Sequence, residues 1–358
     1  MNRYFCTLLL AWSILNASVF NISAKRINWF KNSPPPAWMM EQIKDDIAPF
    51  LQTGIYREEM EQTMEKIPLL IRITIKDNVV SWDSAKDFSK DRRLLRSLDL
   101  MREAAEYLEF PDVQFLMTVL DCYDYPTTLN DTIAPVFTIC KQRDNHKAIL
   151  WPEMLGYKPR MITKDRVMQA EKDLPWRKKK PTAYWRGRST GAYLHPYDWD
   201  AIPRAPLVLF SEKHPDLVDA RFSGVHWADA TTREWLRDHY VVGYTKPANQ
   251  VKFKYQIAVD GNSFPTSLIW QLATESTVIK NRTNYVEWYH NGLVEDVHYV
   301  AYNMDCRDLK TVIEKLREDD EKAHQIALNA TEFANTYLTV EGAAYYLYLL
   351  LKEYALLQ

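Results

Sequence analysis

Glycine is scarce in this chain, with nine in 358 residues, and neither G-x-G-x-x-G nor G-x-x-x-x-G-K-[ST] occurs. The usual dinucleotide fingerprint and the P-loop are therefore excluded. Cysteine is scarcer still, at four: Cys6, Cys122, Cys140 and Cys306. No C-x-x-C pair or Cys/His metal spacing is present, so a zinc module is not expected, and removal of the N-terminus would leave enough for one disulfide at most. Net charge is nearly absent, with 45 Lys and Arg against 47 Asp and Glu. A general nucleic-acid binder carries a basic excess across a whole face, and this chain does not. Nucleic acid is not the expected partner.

What is present is aromatic: twelve Trp and twenty-one Tyr in a chain that is 47% hydrophobic and has no low-complexity tract. Flat rings stack on sugars and bases, although core packing is their commoner use. The length suffices for two domains of ordinary size.

Residues 1–24 combine Arg3, an apolar run from Tyr4 to Leu15 and a small polar end at Asn21-Ile22-Ser23-Ala24. This is the pattern of a signal peptide, with an uncleaved anchor as the second choice and a buried N-terminal helix as the third. The run is shorter than the roughly twenty residues of a comfortable membrane span. Export to a secretory pathway or periplasm is expected ahead of a cytoplasmic location, with membrane contact only if the segment is retained. Five Asn-x-Ser/Thr sequons (Asn16, Asn21, Asn130, Asn281, Asn329) fit a secretory protein, but two lie inside the segment itself.

After a Pro-rich lead-in at Lys31–Pro36, the spacing is helical from Trp38 to about Lys66. Leu69–Ile75 alternates as a strand and turns at Asp77-Asn78 into a second. Arg92–Phe110 reads as a helix and Val113–Leu120 as a buried parallel strand. Beyond residue 180, strands and helices alternate down to a final helix at Val340–Leu356. Such alternation implies an α/β fold with parallel sheets covered on both faces. The expected division is residues 25–178 with 340–358 as one α/β domain, and 179–339 as a second. Two Rossmann-like units with a cleft between them make a natural active site, beyond the carboxyl ends of the strands.

The most distinctive stretch is Tyr184-Trp185-Arg186-Gly187-Arg188-Ser189-Thr190-Gly191, just after Trp176-Arg177-Lys178-Lys179-Lys180. From Leu174 to Tyr197 there are six basic residues and no acidic one. Thr182–Trp185 reads as a short strand and Arg186–Gly191 as the loop leaving it. Glycines let backbone N–H groups approach an anion, hydroxyls donate to phosphate oxygens, and guanidinium groups bind them bidentately. A diphosphate-binding loop is the sharp reading, and a solvated basic loop the plain one. A second turn, Asp260-Gly261-Asn262-Ser263-Phe264, follows a strand led in by Lys252-Phe253-Lys254-Tyr255 and precedes a helix, so it could present N–H donors to phosphate. In the first half, Asp121 closes the most apolar strand and Asp124 follows three residues later. A partly desolvated carboxylate there can act as a general base; turn formation is the alternative for both.

Tyr184–Gly191, Arg204-Ala205-Pro206-Leu207, Lys252–Tyr255 with Val259–Ser263, Val278-Ile279-Lys280, Glu287-Trp288-Tyr289 and His298-Tyr299-Val300 form an ordered series. The series resembles glycosyltransferase family 90, the family of the protein O-glucosyltransferases (Rumi-like proteins) and fungal capsule-associated transferases. Upstream, Pro111–Phe115 through Asp121 resembles the family's strand and catalytic aspartate, and Leu174–Lys180 a stretch of the animal enzymes. The likeness runs from about residue 108 to the C-terminus. It implies a GT-B architecture and an inverting transfer, without a metal or other cofactor, from a UDP-sugar (glucose or xylose first) to a protein or glycan hydroxyl. By this resemblance Asp121 is the base, with Asp124 the alternative. The donor would be held by Arg186, Gly187, Arg188, Ser189, Thr190, Arg204, Lys254, Asp260, Gly261, Asn262, Ser263, Phe264, Lys280 and Glu287. Trp151 and Trp176 are placed on the acceptor side. The pattern departs at Ser267, where the glucosyltransferases commonly carry an arginine; Lys280 is the candidate substitute. A transferase-like protein that binds glycan or polypeptide without turnover is the second reading. A glycoside hydrolase using Asp121 and Asp124 is a weaker third, since a neutral sugar needs no phosphate site.

Overall fold

A computed structural model of the chain describes residues 4–5, 18–124, 129, 131–152, 157–172, 174–191, 200, 202–226 and 228–358. Packing divides the chain into two units: Met1–Lys158 with Asn284–Gly292 and Tyr337–Gln358, and Pro159–Thr283 with Leu293–Thr336.

The first unit carries β1 (Tyr4–Phe5), β2 (Ile71–Lys76), β3 (Val79–Ser84), β4 (Val113–Met117), β5 (Val136–Thr138), β6 (Lys141–Gln142) and β7 (Ala148–Leu150), and helices α1 (Ala24–Asn32), α2 (Ala37–Ile47), α3 (Arg57–Lys66) and α4 (Arg92–Ala104). The β2–β3 hairpin turns on Asp77 and Asn78 at φ of 49° and 60°, the left-handed pair that suits a two-residue hairpin. Its sheet runs β1-β3-β2-β4-β5-β7. β2 is antiparallel to both β3 and β4, while β4, β5 and β7 are parallel. The expected parallel sheet is therefore mixed in this unit, because a tight hairpin can join only antiparallel strands. The helical stretch 38–66 is broken, with α2 giving way to a short 3₁₀ turn at Ala48–Phe50 before α3. Phe115 and Phe137 lie 4.4 Å apart by ring centroid, with Trp151 and Tyr354 of the C-terminal helix (Val340–Ala355) against them. Residues 18–23 are seated on this unit: Phe20 N–H donates to Glu103 at 2.9 Å and Ser23 N–H to Glu341 at 3.0 Å. Among the described residues no helix is long and apolar enough to cross a membrane.

The second unit is regular. α5 (Tyr157–Glu171) leads to β8 (Lys180–Arg188), α6 (Ala205–Lys213), β9 (Val218–Gly224), α7 (Ala230–Tyr240), β10 (Phe253–Ala258), α8 (Leu268–Leu272) and β11 (Thr277–Asn281). The strand Val300–Tyr302, α9 (Leu309–Glu318) and α10 (Asp320–Thr336) follow. All five strands pair in parallel, with β8 between β9 and β10, then β11 and Val300–Tyr302. In chain order this is the doubly wound arrangement 2-1-3-4-5, whose ligand crevice lies where connections diverge, between the first and third strands. Here those strands are β8 and β10. The boundary falls earlier than residue 178 because Lys179 ties the end of α5 to this unit, reaching Glu171 at 2.8 Å and Ser276 Oγ at 2.8 Å. Residues Asn284–Gly292 return to the first unit, where Tyr285–Val286 pairs antiparallel with β6.

Near β7 a buried ion pair joins α2 to β6. Lys141 Nζ lies 2.7 Å from Asp46 Oδ1 and also donates to the Ala148 and Asn145 carbonyls. Asp46 Oδ2 accepts the Leu150 N–H at 2.8 Å. Burial raises the Asp46 pKa, against the attraction of Lys141. Removing one partner leaves an uncompensated charge, so Lys141→Met is expected to cost about 3–5 kcal/mol. Urea unfolding will check this, and Asp46→Leu combined with Lys141→Met should recover most of the loss.

Candidate functional site

At the carboxyl ends of β8 and β10 two turns meet. After β8 the chain runs Ser189-Thr190-Gly191; after β10 it runs Val259-Asp260-Gly261-Asn262-Ser263. Arg204, just before α6, knits them together. Its Nη1 donates to the Arg188 carbonyl at 2.8 Å, its Nε to the Asp260 carbonyl at 3.1 Å and its Nη2 to the Val259 carbonyl at 3.4 Å. Its guanidinium also lies over Trp185, 5.6 Å from the ring centroid. Burial pushes its pKa down to about 10, with Asp260 and Tyr302 opposing the shift, so it stays charged at neutral pH. Gly191 N–H donates to Asn262 Oδ1 at 2.9 Å, a second bond across the two turns.

Glycine is required where the turns touch. A Cβ on Gly261 would fall 2.4 Å from Thr190 Oγ1 and 2.8 Å from Arg204 Nη2, and Gly191 has φ +101° with its Cβ direction filled by Pro203. Behind them the Asp260 carboxyl is buried. Desolvation raises its pKa, opposed by Lys280, Thr283, Asn281 and Arg204. Asp260 N–H donates to Asn281 Oδ1 at 2.9 Å. Ser189 is fixed by a reciprocal pair with His226, accepting its N–H at 2.8 Å and donating to its carbonyl at 3.2 Å. Arg188 is exposed, and among the described residues its guanidinium makes no hydrogen bond; its charge is felt by His226, whose pKa is lowered first by burial and then by Arg188.

Of the expected donor residues, Arg188, Ser189, Thr190, Arg204, Asp260, Gly261, Asn262 and Lys280 are gathered at this edge, with Ser263 and Phe264 on the same turn. Four others lie elsewhere. β8 extends through Arg188 rather than stopping at Trp185, so residues alternate between the two sheet faces. Arg186 thereby shares a face with Tyr184, stacking 4.4 Å from its ring and pairing with Asp219 at 2.7 Å. That face borders a groove of about 900 Å³ along the strands, lined by Tyr184, Arg221 and Phe253 among others, rather than the strand ends. Gly187 lies against the Trp185 ring. Lys254 sits at the start of β10, the opposite end of the strand from the turn, where it pairs with Asp320 at 2.5 Å and lies over Trp176. Glu287 belongs to the first unit, where its Oε2 accepts the Tyr289 hydroxyl at 2.5 Å.

Both acceptor-side tryptophans are also relocated. Trp151 is completely buried in the aromatic core of the first unit, leaving no ring face for a ligand. Trp176 belongs to the second unit, stacked on His324 at 4.7 Å with its Nε1 donating to Asp320 at 2.9 Å. Ser267 hydrogen-bonds Gln271 at 3.0 Å. Asn281, read as a sequon, is 1% exposed and holds the Asp260 backbone; the sequence signal against a glycan there is its place two residues after the apolar run Val278-Ile279.

In the first unit the two carboxylates separate clearly. Beyond β4, Thr118 N–H still donates to Phe137 at 3.0 Å. Tyr123 is buried and its hydroxyl donates to the Leu129 carbonyl at 2.7 Å; burial pushes that phenol up to about 12. Between these anchors Asp121 is presented outward, its side chain 57% exposed and paired with Arg93 at 2.9 Å. Asp124 is occupied: Oδ2 accepts the Gln142 N–H at 2.6 Å and Oδ1 the Asn145 amide at 2.6 Å. Arg93 was not singled out by any motif. Among the described residues there is no cluster of three or more His, Cys, Asp or Glu able to hold a metal ion.

A doubly wound unit with paired turns and cations at its switch point, accompanied by a second α/β unit bearing an exposed carboxylate in the loop after β4, is the construction of a two-unit α/β protein with a ligand crevice at the switch point. Residues 32–358 match the family described as Glycosyl transferase family 90, and the chain belongs to that family. It is 26% identical over 343 residues to Protein O-glucosyltransferase 2 of Danio rerio, covering 92% of this chain and 64% of that protein. To Protein O-glucosyltransferase 1 of Homo sapiens it is 24% identical over 262 residues, covering 68% of this chain and 62% of that protein. The chain thus spans slightly under two thirds of the length of these relatives. Among solved structures, Anabaena HepE in complex with UDP and glucose matches with a TM-score of 0.34 at 12% identity, covering 50% of each chain. The C-terminal domain of the Francisella tularensis glycosyl transferase LpcC matches with a TM-score of 0.32 at 14% identity, covering 48% of this chain and 92% of that one.

The two carboxylates are separable by stability. Asp124→Ala strands the Gln142 N–H and the Asn145 amide and should cost about 1–3 kcal/mol. Asp121→Ala removes one solvent-facing ion pair and should cost under about 1 kcal/mol. Denaturant titration of both variants will check the contrast.

Proposed function

We propose that this chain is an inverting glycosyltransferase that moves a sugar, glucose or xylose, from a UDP-sugar to a hydroxyl of a protein or glycan acceptor. The observation that carries the reading is the pairing of chemistries on the two units: an exposed, oriented Asp121 on one, and cationic turns at the switch point of the other. In an inverting transfer a carboxylate removes the acceptor proton as the oxygen attacks the anomeric carbon from the face opposite the diphosphate. Negative charge grows on the leaving UDP and is stabilised by preorganised cations and N–H dipoles. Arg188 is the exposed guanidinium placed for direct contact. Arg204 and Lys280 act from behind as fixed positive charge, with Arg204 also shaping the turns. Cations then perform the task a metal would, and transfer is expected to persist in excess EDTA.

This division of labour, base on one unit and donor site on the other, is the GT-B scheme. The names of the relatives support glucose as the first donor to try and a protein as the acceptor class. Residues 1–24 support export through a secretory pathway or periplasm, with a membrane anchor only if they are retained.

Asp121→Asn should abolish transfer from UDP-glucose and UDP-xylose while UDP still binds in calorimetry; an Asp121→Asn protein with full activity would sink the assignment. Arg188→Ala should weaken UDP binding by about ten- to a hundredfold, the loss of one charge-assisted contact of about 1.5–3 kcal/mol, with the unfolding midpoint unchanged. NMR of the early product should show an inverted anomeric centre.

A further inference from the structure

We propose that Arg93 is the positioning residue for the Asp121 carboxylate, an inference that rests on the reading of Asp121 as the base. Arg93 lies in the first turn of α4, where two arginines stand together, Arg92 and Arg93. Cations at a helix N-terminus oppose the helix dipole, so this placement does not serve the helix. The turn is instead secured by Asp91, whose Oδ1 accepts the Arg93 and Leu94 N–H groups at 2.9 Å each. With its backbone held in this way, Arg93 sends its guanidinium into the loop after β4.

Two donors of the fork are used there. Nη1 donates to the Val119 carbonyl and Nη2 to Asp121 Oδ1 at 2.9 Å. The guanidinium thus ties the carboxylate to the backbone of its own loop, two residues earlier. The loop is anchored on either side by Thr118, whose Oγ1 accepts the Leu120 N–H at 3.2 Å, and by Tyr123, whose N–H donates to Cys140 at 2.9 Å. Between those anchors the Asp121 side chain is more than half exposed. Arg93 is 12% exposed at its side chain while Asp121 is 57% exposed. Among the described residues Asp121 Oδ2 makes no hydrogen bond, so one oxygen is held and the other is open to take a proton. A rigid, planar fork can hold two acceptors in fixed relation, which a lysine's single ammonium on a flexible stem does poorly. A reacting group misplaced by an ångström can lose about a hundredfold in rate.

The test compares Arg93→Met and Arg93→Lys in the full chain, with UDP-glucose as donor and UDP release as readout. Arg93→Met should lower kcat by about ten- to a hundredfold, leaving the KM for UDP-glucose and the UDP dissociation constant within about twofold, since the donor groups lie on the other unit. Arg93→Lys should recover part of the loss. Added to Asp121→Asn, Arg93→Met should produce no further decrease, because two groups acting as one unit are not additive. A kcat for Arg93→Met equal to that of the unaltered protein, with Asp121→Asn inactive, overturns the role of Arg93 and leaves the base intact. An active Asp121→Asn overturns the base itself. If Arg93→Met lowers the unfolding midpoint, Arg93→Lys decides: reduced kcat at unchanged KM supports positioning, and full kcat overturns it.

Discussion

The guanidinium of Arg204 is the interaction on which the paired strand exits of the second unit depend. Three of its N–H groups are spent on backbone carbonyls of two different strand exits, Arg188 on one side and Val259 and Asp260 on the other. A buried charge is tolerable only when dipoles and an opposite charge replace water, and here the carbonyls and the Asp260 carboxyl do so. The same constraint forces the neighbouring turns close together. Gly191 and Gly261 meet in a space where no Cβ fits, and Asn262 and Asn281 complete the bonding of the two backbones. With only nine glycines in the chain, two stand at this one contact.

Two carboxylates three residues apart in the first unit show how environment divides roles. Asp124 spends both oxygens on backbone and side-chain donors, Gln142 at the end of β6 and Asn145 in the turn that follows. Asp121 gives one oxygen to Arg93 and offers the other to solvent. Neither residue type nor spacing separates them; the hydrogen-bond partners do. A similar logic reassigns the aromatics, since Trp151 and Trp176 occupy core and helix contacts rather than a ligand surface.

Basic residues likewise sort by the geometry of the strand that bears them. Arg186 and Arg188 are two apart on β8, yet one lies along the sheet face against Tyr184 and Asp219, and the other at the exit. Lys254 carries the right charge at the wrong end of β10, roughly 3.3 Å per residue away from the turn, and is spent on Asp320. The two arginines of β8 therefore serve two places, and the lysine of β10 a third.

Local pattern by itself determined a good deal. The alternation of Leu69–Ile75, the apolar run from Val113, and the strand–helix succession beyond residue 180 were legible because each element's periodicity is imposed by its own backbone geometry. The turn at Asp260–Phe264 and the loop at Ser189–Gly191 were legible because glycine, asparagine and hydroxyl residues have few other uses at such sites. Tertiary structure alone decided the remainder. The order 2-1-3-4-5, the antiparallel β2 beside β4, and the return of Asn284–Gly292 to the first unit depend on pairings between segments far apart in sequence, for which no local signal exists. So too do the partners of Arg93, Arg204 and Asp124. A polar side chain's role is set by which distant donors and acceptors the fold brings within about 3 Å, and that is a property of the packed chain.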